Sequence, residues 1–134
     1  RSRRCSADVC NFISSKLGIG IMSTGDHEGR VAWADDMAND VLRNNKITKL
    51  VYSEAARYSF SAVNWSYSKG DTMDCACVIL TKDFEKLAED DFSIKKISIS
   101  TLNKLYVAMT RSRGDLYLIK SSTFKKLQDA YIRG

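Results

Sequence analysis

The chain has 134 residues, 44% of them hydrophobic and 28% charged, and a formal net charge of +5. Such proportions fit a globular domain and exclude a disordered or collagen-like chain; the length suits one domain that buries roughly two-thirds of its unfolded surface. No apolar run approaches the ~18 residues a membrane span needs, and no secretory signal pattern opens the sequence. Because it begins at Arg1 without Met, a fragment or processed chain is expected.

From the N-terminus, "SADVCNFISSKLG" places Val9, Phe12, Ile13 and Leu17 on one helical face, with Ser6 as N-cap and Gly18 as terminator. "IGIMS" (19–23) is a candidate strand, followed by a turn at "TGDHEG". "WADDMANDVLRNN" (33–45) spaces Ala34, Met37, Ala38, Val41 and Leu42 as a helix that ends at the asparagine pair. "KITKLVYS" and "FSAVNWSYS" read as strands, the second with imperfect alternation. After "KGDT", the run "CACVILT" (75–81) is apolar on both faces, as a central parallel strand should be. An acidic connection from Asp83 to Asp91 precedes a helix over 101–110, a strand over 115–119 and a terminal helix from about Thr123. Strands alternating with helices imply βαβ units and a mostly parallel sheet. No internal repeat, low-complexity tract or interdomain linker interrupts the pattern, so one α/β domain is expected.

Charge is distributed unevenly. Residues 1–70 carry 10 basic and 7 acidic side chains, residues 71–91 carry 2 and 7, and residues 92–134 carry 9 and 2. A basic last third suits nucleic acid or nucleotide phosphates, and equally a solvated lysine-rich surface. The four cysteines (Cys5, Cys10, Cys75, Cys77) lack C-x-x-C spacing and read as reduced thiols of a cytoplasmic protein, with no metal site expected. His27 is the only histidine, and nothing around it supports a catalytic triad.

Two segments carry chemistry. In open α/β sheets ligands gather beyond the carboxyl ends of the strands. "SYSKGDTMD" (Ser66 to Asp74) follows a strand with small and flexible residues whose backbone N–H groups can approach an anion, although it is not a G-x-x-x-x-G-K-[ST] loop. "LYVAMTRSRGDLYLIK" (Leu105 to Lys120) runs from an apolar helix through Arg111-Ser112-Arg113-Gly114 into a strand. Its arginines either cap the helix or reach something anionic. Lys69 and Arg111 are both expected near the carboxyl edge of the sheet.

Taken together, these segments resemble the UvrD/Rep/PcrA group of superfamily 1 DNA helicases, specifically the second, C-terminal RecA-like (2A) motor domain. "LYVAMTRSRGDLYLI" is similar to that family's motif VI, L-Y-V-A-x-T-R-A-[RK]-x-x-L-x-L, over nearly its whole length (105–118). "SYSKGDTMDCACVIL" (66–80) resembles motif V, K-G-x-[ET]-F-D-x-V-x-[IL]. "RRCSADVCNF" (near 4–12) resembles motif IV in Arg4 and the helix pattern that follows. The order IV, V, VI is that of the family.

The resemblance implies a RecA-like, P-loop NTPase-like three-layer domain with a mostly parallel sheet. It also implies an ATP-dependent helicase or translocase as parent, of 3′→5′ polarity. Arg111 and Arg4 then take catalytic positions at the nucleotide's γ-phosphate. An arginine finger of this kind contributes about 10³–10⁵ in rate. Lys69, Gly70 and Thr72 fall on the nucleotide side of motif V, Thr72 standing where many relatives have Glu. Arg113 joins that set as a supporting ion-pair or domain-interface residue. Asn64-Trp65-Ser66 replaces the usual Thr-x-His, making Ser66 and Trp65 the candidates for single-stranded DNA; Trp65 either stacks a base or fills the core.

Only 65 positions separate Arg4 from Lys69 (69 − 4), too few for the 2B insertion of UvrD and Rep. The Walker lysine and the Mg²⁺ carboxylates belong to the family's N-terminal RecA-like domain, so ATP and Mg²⁺ would be held mainly there and the 134 residues alone should not hydrolyse ATP. The competing expectation is a degenerate RecA-like domain that binds nucleic acid or a partner without motor activity.

Overall fold

The structure, a computed structural model, describes residues 7–18, 29–65, 75–89, 92–95, 97–112 and 114–132. The strand expected over 19–23 and the loop 66–74 lie outside these residues.

A five-stranded sheet organises the described residues, in the order β1-β5-β4-β2-β3. Its strands are β1 (Val31–Trp33), β2 (Thr48–Val51), β3 (Ala62–Asn64), β4 (Ala76–Ile79) and β5 (Leu116–Ile119), and every pairing between them is parallel. The expected α/β class with a mostly parallel sheet is therefore observed. The α-helices among the described residues are α1 (Ala7–Leu17), α2 (Ala38–Arg43), α3 (Ile99–Met109) and α4 (Ser121–Leu127).

Alternation along the strands decides which face each helix covers. Ala76, Val78 and Leu80 point to one side with Leu116 and Leu118, where they meet Val9, Ile13 and Leu17 of α1 and Leu102, Leu105 and Met109 of α3. Cys77, Ile79 and Ile119 point to the other side, against Val41 and Leu42 of α2 and Phe124 of α4. A period of two in the strands and of 3.6 in the helices thus produces three layers with two separate cores. The central strand β4 is buried at all four positions, as its two-sided apolar run requires.

Two expectations change. The helix expected from Trp33 begins only at Ala38, and Val31–Trp33 form β1 instead; the three residues pair with Leu116, Tyr117 and Leu118, and that long-range pairing overrides the local helical pattern. A 3₁₀ turn over Asp35–Met37 makes the transition and leaves Met37 41% exposed, off the buried face. The acidic connection holds a 3₁₀ turn, Lys82–Phe84, whose Phe84 is fully buried under Trp65. No helix among the described residues is long and apolar enough to cross a membrane.

Candidate functional site

Helix α3 starts two residues before its expected beginning because Ser98 caps it: the Thr101 backbone N–H donates to Ser98 Oγ at 3.2 Å. Leu102, Leu105, Ala108 and Met109 form its buried stripe. The helix unwinds at Thr110, whose N–H still donates to the Tyr106 carbonyl and whose hydroxyl donates to the Val107 carbonyl at 3.1 Å. Arg111 continues the last turn through its N–H to the Ala108 carbonyl. Ser112 then donates its hydroxyl to the Asp115 carbonyl, which folds the link back so that Leu116 can open β5.

This geometry puts Arg111 at the amino edge of the sheet, contrary to the carboxyl-edge expectation. The reason is topological: in an all-parallel sheet every strand is entered from the same edge, and Arg111 lies just before the entry to β5. Its surroundings are closed. Arg111 is 3% exposed and Ser112 is fully buried. Leu116 N–H donates to the Arg30 carbonyl at 2.8 Å, and Arg30 N–H donates to Asp115 Oδ1 at 3.0 Å. Gly29 lies so close to Gly114 that an added Cβ would sit 2.2 Å from the Gly114 carbonyl oxygen. Of the residues assigned to nucleotide, only Arg111 is described, and its guanidinium is shielded from solvent. Arg4, Lys69, Gly70, Thr72 and Arg113 lie outside the described residues, as do Ser66 and His27. Among the described residues, Arg111 therefore stands in no exposed cradle for nucleotide phosphates.

Trp65 takes the second of its two expected places. Its ring is fully buried, its Nε1–H donates to the Leu50 carbonyl at 3.1 Å, and Tyr52 and Phe84 pack against it at centroid distances of 5.4 and 5.9 Å. A ring enclosed in this way has no free face for a base. Trp65 belongs to the core and is not placed to stack a base.

One chemically unusual pair was missed from sequence. Lys49 of β2 is fully buried, with its Nζ donating to the Asn44 carbonyl at 2.7 Å and lying 5.9 Å from the Phe60 ring centroid. It stands opposite Cys77 of β4 in the register. Burial lowers the Lys49 pKa, partly opposed by Cys77. Burial likewise pushes the Cys77 thiol up to about 12, partly opposed by Lys49. Cys77 is consequently a protonated thiol at neutral pH, inert as a nucleophile. The signal was available: Ile47, Lys49 and Val51 share one face of β2, and the other two are buried in the α2/α4 core.

No family model matches the chain, and no curated protein shows significant similarity to it.

Proposed function

We propose that these residues form the C-terminal RecA-like motor domain of an ATP-dependent DNA helicase or translocase of the cytoplasm. One observation carries this proposal: the segment resembling motif VI runs from the second half of α3 through Arg111 and Ser112 into β5. That helix–arginine–strand order is what an arginine supplied to a neighbouring domain's ATP site needs. An all-parallel three-layer sheet is the second support. In this proposal ATP and Mg²⁺ are held mainly by an N-terminal RecA-like domain, single-stranded DNA is the track, and the chemistry of the bound nucleotide is phosphoryl transfer to water. Arg111 contributes positive charge toward the γ-phosphate, and Arg4 is proposed for the same task. Because Arg111 is buried as described, docking of the two domains must also open the amino edge around it.

Arg111→Lys in the parent protein tests the assignment. It keeps the charge and removes the planar fork that can hold two phosphate oxygens. DNA-stimulated ATPase should fall by at least ~10²-fold, at the low side of what fingers contribute. Nucleotide-free DNA binding and the melting temperature serve as controls for folding. Near-normal ATPase in a folded variant rejects the finger.

The burial of Arg111 favours a second proposal, a RecA-like module that binds nucleic acid without turning over ATP. Its mark is DNA affinity that neither ATP nor a partner domain alters, falling steeply with salt as phosphate contacts do.

A further inference from the structure

Beyond the carboxyl ends of β2, β4 and β5 lies a cavity of about 270 Å³. The chain's own route creates it. After β4 the backbone turns to the α1/α3 face, where Phe84 and Leu87 are buried. After β2 and after β5 it turns to the opposite face, where Tyr58 and Phe124 are buried. β4 lies between β5 and β2, so both of its neighbours part from it. Connections that leave adjacent strands in opposite directions open a crevice at the carboxyl edge, the place where α/β sheets hold small ligands.

The lining is specific in its chemistry. Lys82 and Lys125, both exposed, supply two ammonium groups, while Ser53, Thr81 and Ser121 supply hydroxyls. Glu54, the one carboxylate among the described lining residues, is engaged by Arg57 at 3.2 Å. Glu85, on the connection after β4, is likewise committed: it accepts the Ser122 backbone N–H at 3.1 Å and the Ser122 hydroxyl. Thr81 Oγ1 is shielded from solvent and has no hydrogen-bond partner among the described residues. A buried hydroxyl left so is costly, and Thr81 is one of the residues that line the cavity. Glu54 adopts a left-handed backbone (φ 58°, ψ 41°), a conformation that a residue with a side chain holds only under constraint and that recurs at binding sites. Tyr58 and Phe124, edge to face at 5.5 Å, give an apolar wall.

We propose that this cavity binds a small phosphomonoester, its dianion held between Lys82 and Lys125 with hydroxyl donation from Thr81 and Ser121, and its organic part against Tyr58 and Phe124. Two ammonium groups match a dianion better than the single charge of a carboxylate or phosphodiester. The volume lies just under the ~300 Å³ at which ligand pockets usually begin, which admits a sugar phosphate and excludes a dinucleotide. The site is on the opposite edge of the sheet from Arg111, so it stands whether or not the motor proposal does.

Ribose 5-phosphate is the probe, titrated into the full chain by calorimetry and by amide chemical shifts. Saturable binding should appear, with shifts at Ser53, Thr81 and Ser121. Thr81→Val and Lys125→Met should each weaken it about tenfold, the equivalent of one hydrogen bond to a charged group. Neither variant should melt lower than the parent chain, since one removes a partnerless hydroxyl and the other an exposed side chain. A 5′-hydroxyl oligonucleotide, which carries only diesters, should not displace the sugar phosphate. Absence of saturation at about 20 mM, beyond the millimolar range of a fragment-sized ligand, would overturn the proposal. So would unchanged affinity in the folded double variant, or displacement by the oligonucleotide.

Discussion

The two edges of the sheet are built on opposite plans. At the amino edge, Gly29 lies close against Gly114, Arg30 is bonded to Asp115 and Leu116, and Arg111 and Ser112 are closed off from solvent. At the carboxyl edge, the ends of β2, β4 and β5 diverge, leaving a cavity, a partnerless hydroxyl and a left-handed glutamate. The arginine-rich signature that draws the eye in the sequence lies on the sealed edge. The open edge is marked only by serines, a threonine and lysines of ordinary appearance. A conspicuous cationic motif and the space for a ligand are separate properties, and here they occupy different ends of the strands.

The largest effect expected from this contrast is at Gly29. A methyl group there would overlap the Gly114 backbone, which cannot rotate away. Gly29→Ala should cost at least ~3 kcal/mol in urea unfolding, at the upper end of overpacking penalties. A loss below 1 kcal/mol would mean that the amino edge yields easily, and the contrast between the edges would collapse.

Lys49 and Cys77, between the edges, give an intermediate effect that depends on pH. The folded Lys49 pKa lies below its ordinary 10.5, so from that lowered value up to 10.5 the unfolded chain binds more protons and stability rises with pH. Cys77 acts in the other sense: between its ordinary 9.0 and about 12 the folded chain retains the proton, and stability falls as pH rises. Stability should therefore climb as pH rises toward 9, level off between 9 and 10.5 where the two effects oppose each other, and fall from there to about 12. In Lys49→Met the climb should vanish while the alkaline decline persists, as followed by denaturant midpoints across pH. An unchanged climb would assign it to another group.

The smallest effect is expected at the open edge. Glu54→Gly removes the left-handed strain and the ion pair to Arg57, a surface contact of little value. Relief of strain set against the added flexibility of glycine should leave a gain of no more than ~1 kcal/mol. A clear loss would show that the carboxyl edge is as tightly determined as the amino edge.

How far the fold was legible depended on how much local pattern each element carried. "CACVILT" announced β4 because a central parallel strand is apolar on both faces, and α3 announced itself through Leu102, Leu105 and Met109. β1 was not legible: three residues carry no period of their own, and Val31–Trp33 gain their conformation from β5. The 3₁₀ turn over Ala55–Arg57 was missed because its left-handed entry falls on Glu54, where glycine or asparagine would have signalled it. Lys49 was passed over because lysine is ordinarily a surface residue, although Ile47 and Val51 on its own face argued otherwise. At the candidate site, similarity to a motif named Arg111 but could not tell its edge or burial; both follow from an all-parallel pairing that involves strands distant in the chain.

Strand order also sets a timetable. Among the described residues β1 pairs only with β5, so Val31 waits for Leu116, 85 positions later (116 − 31), before its backbone groups find that ladder. During synthesis, which delivers residues from the N-terminus at about 5–20 per second, β1 and the half-buried Trp33 must spend several seconds without their final neighbour. β2 and β3, separated by the ten residues 52–61, can associate well before then. Closure of the sheet by β5 is therefore a late event in the life of the nascent chain, and the interval before it is when an exposed β1 is most open to pairing with the wrong strand.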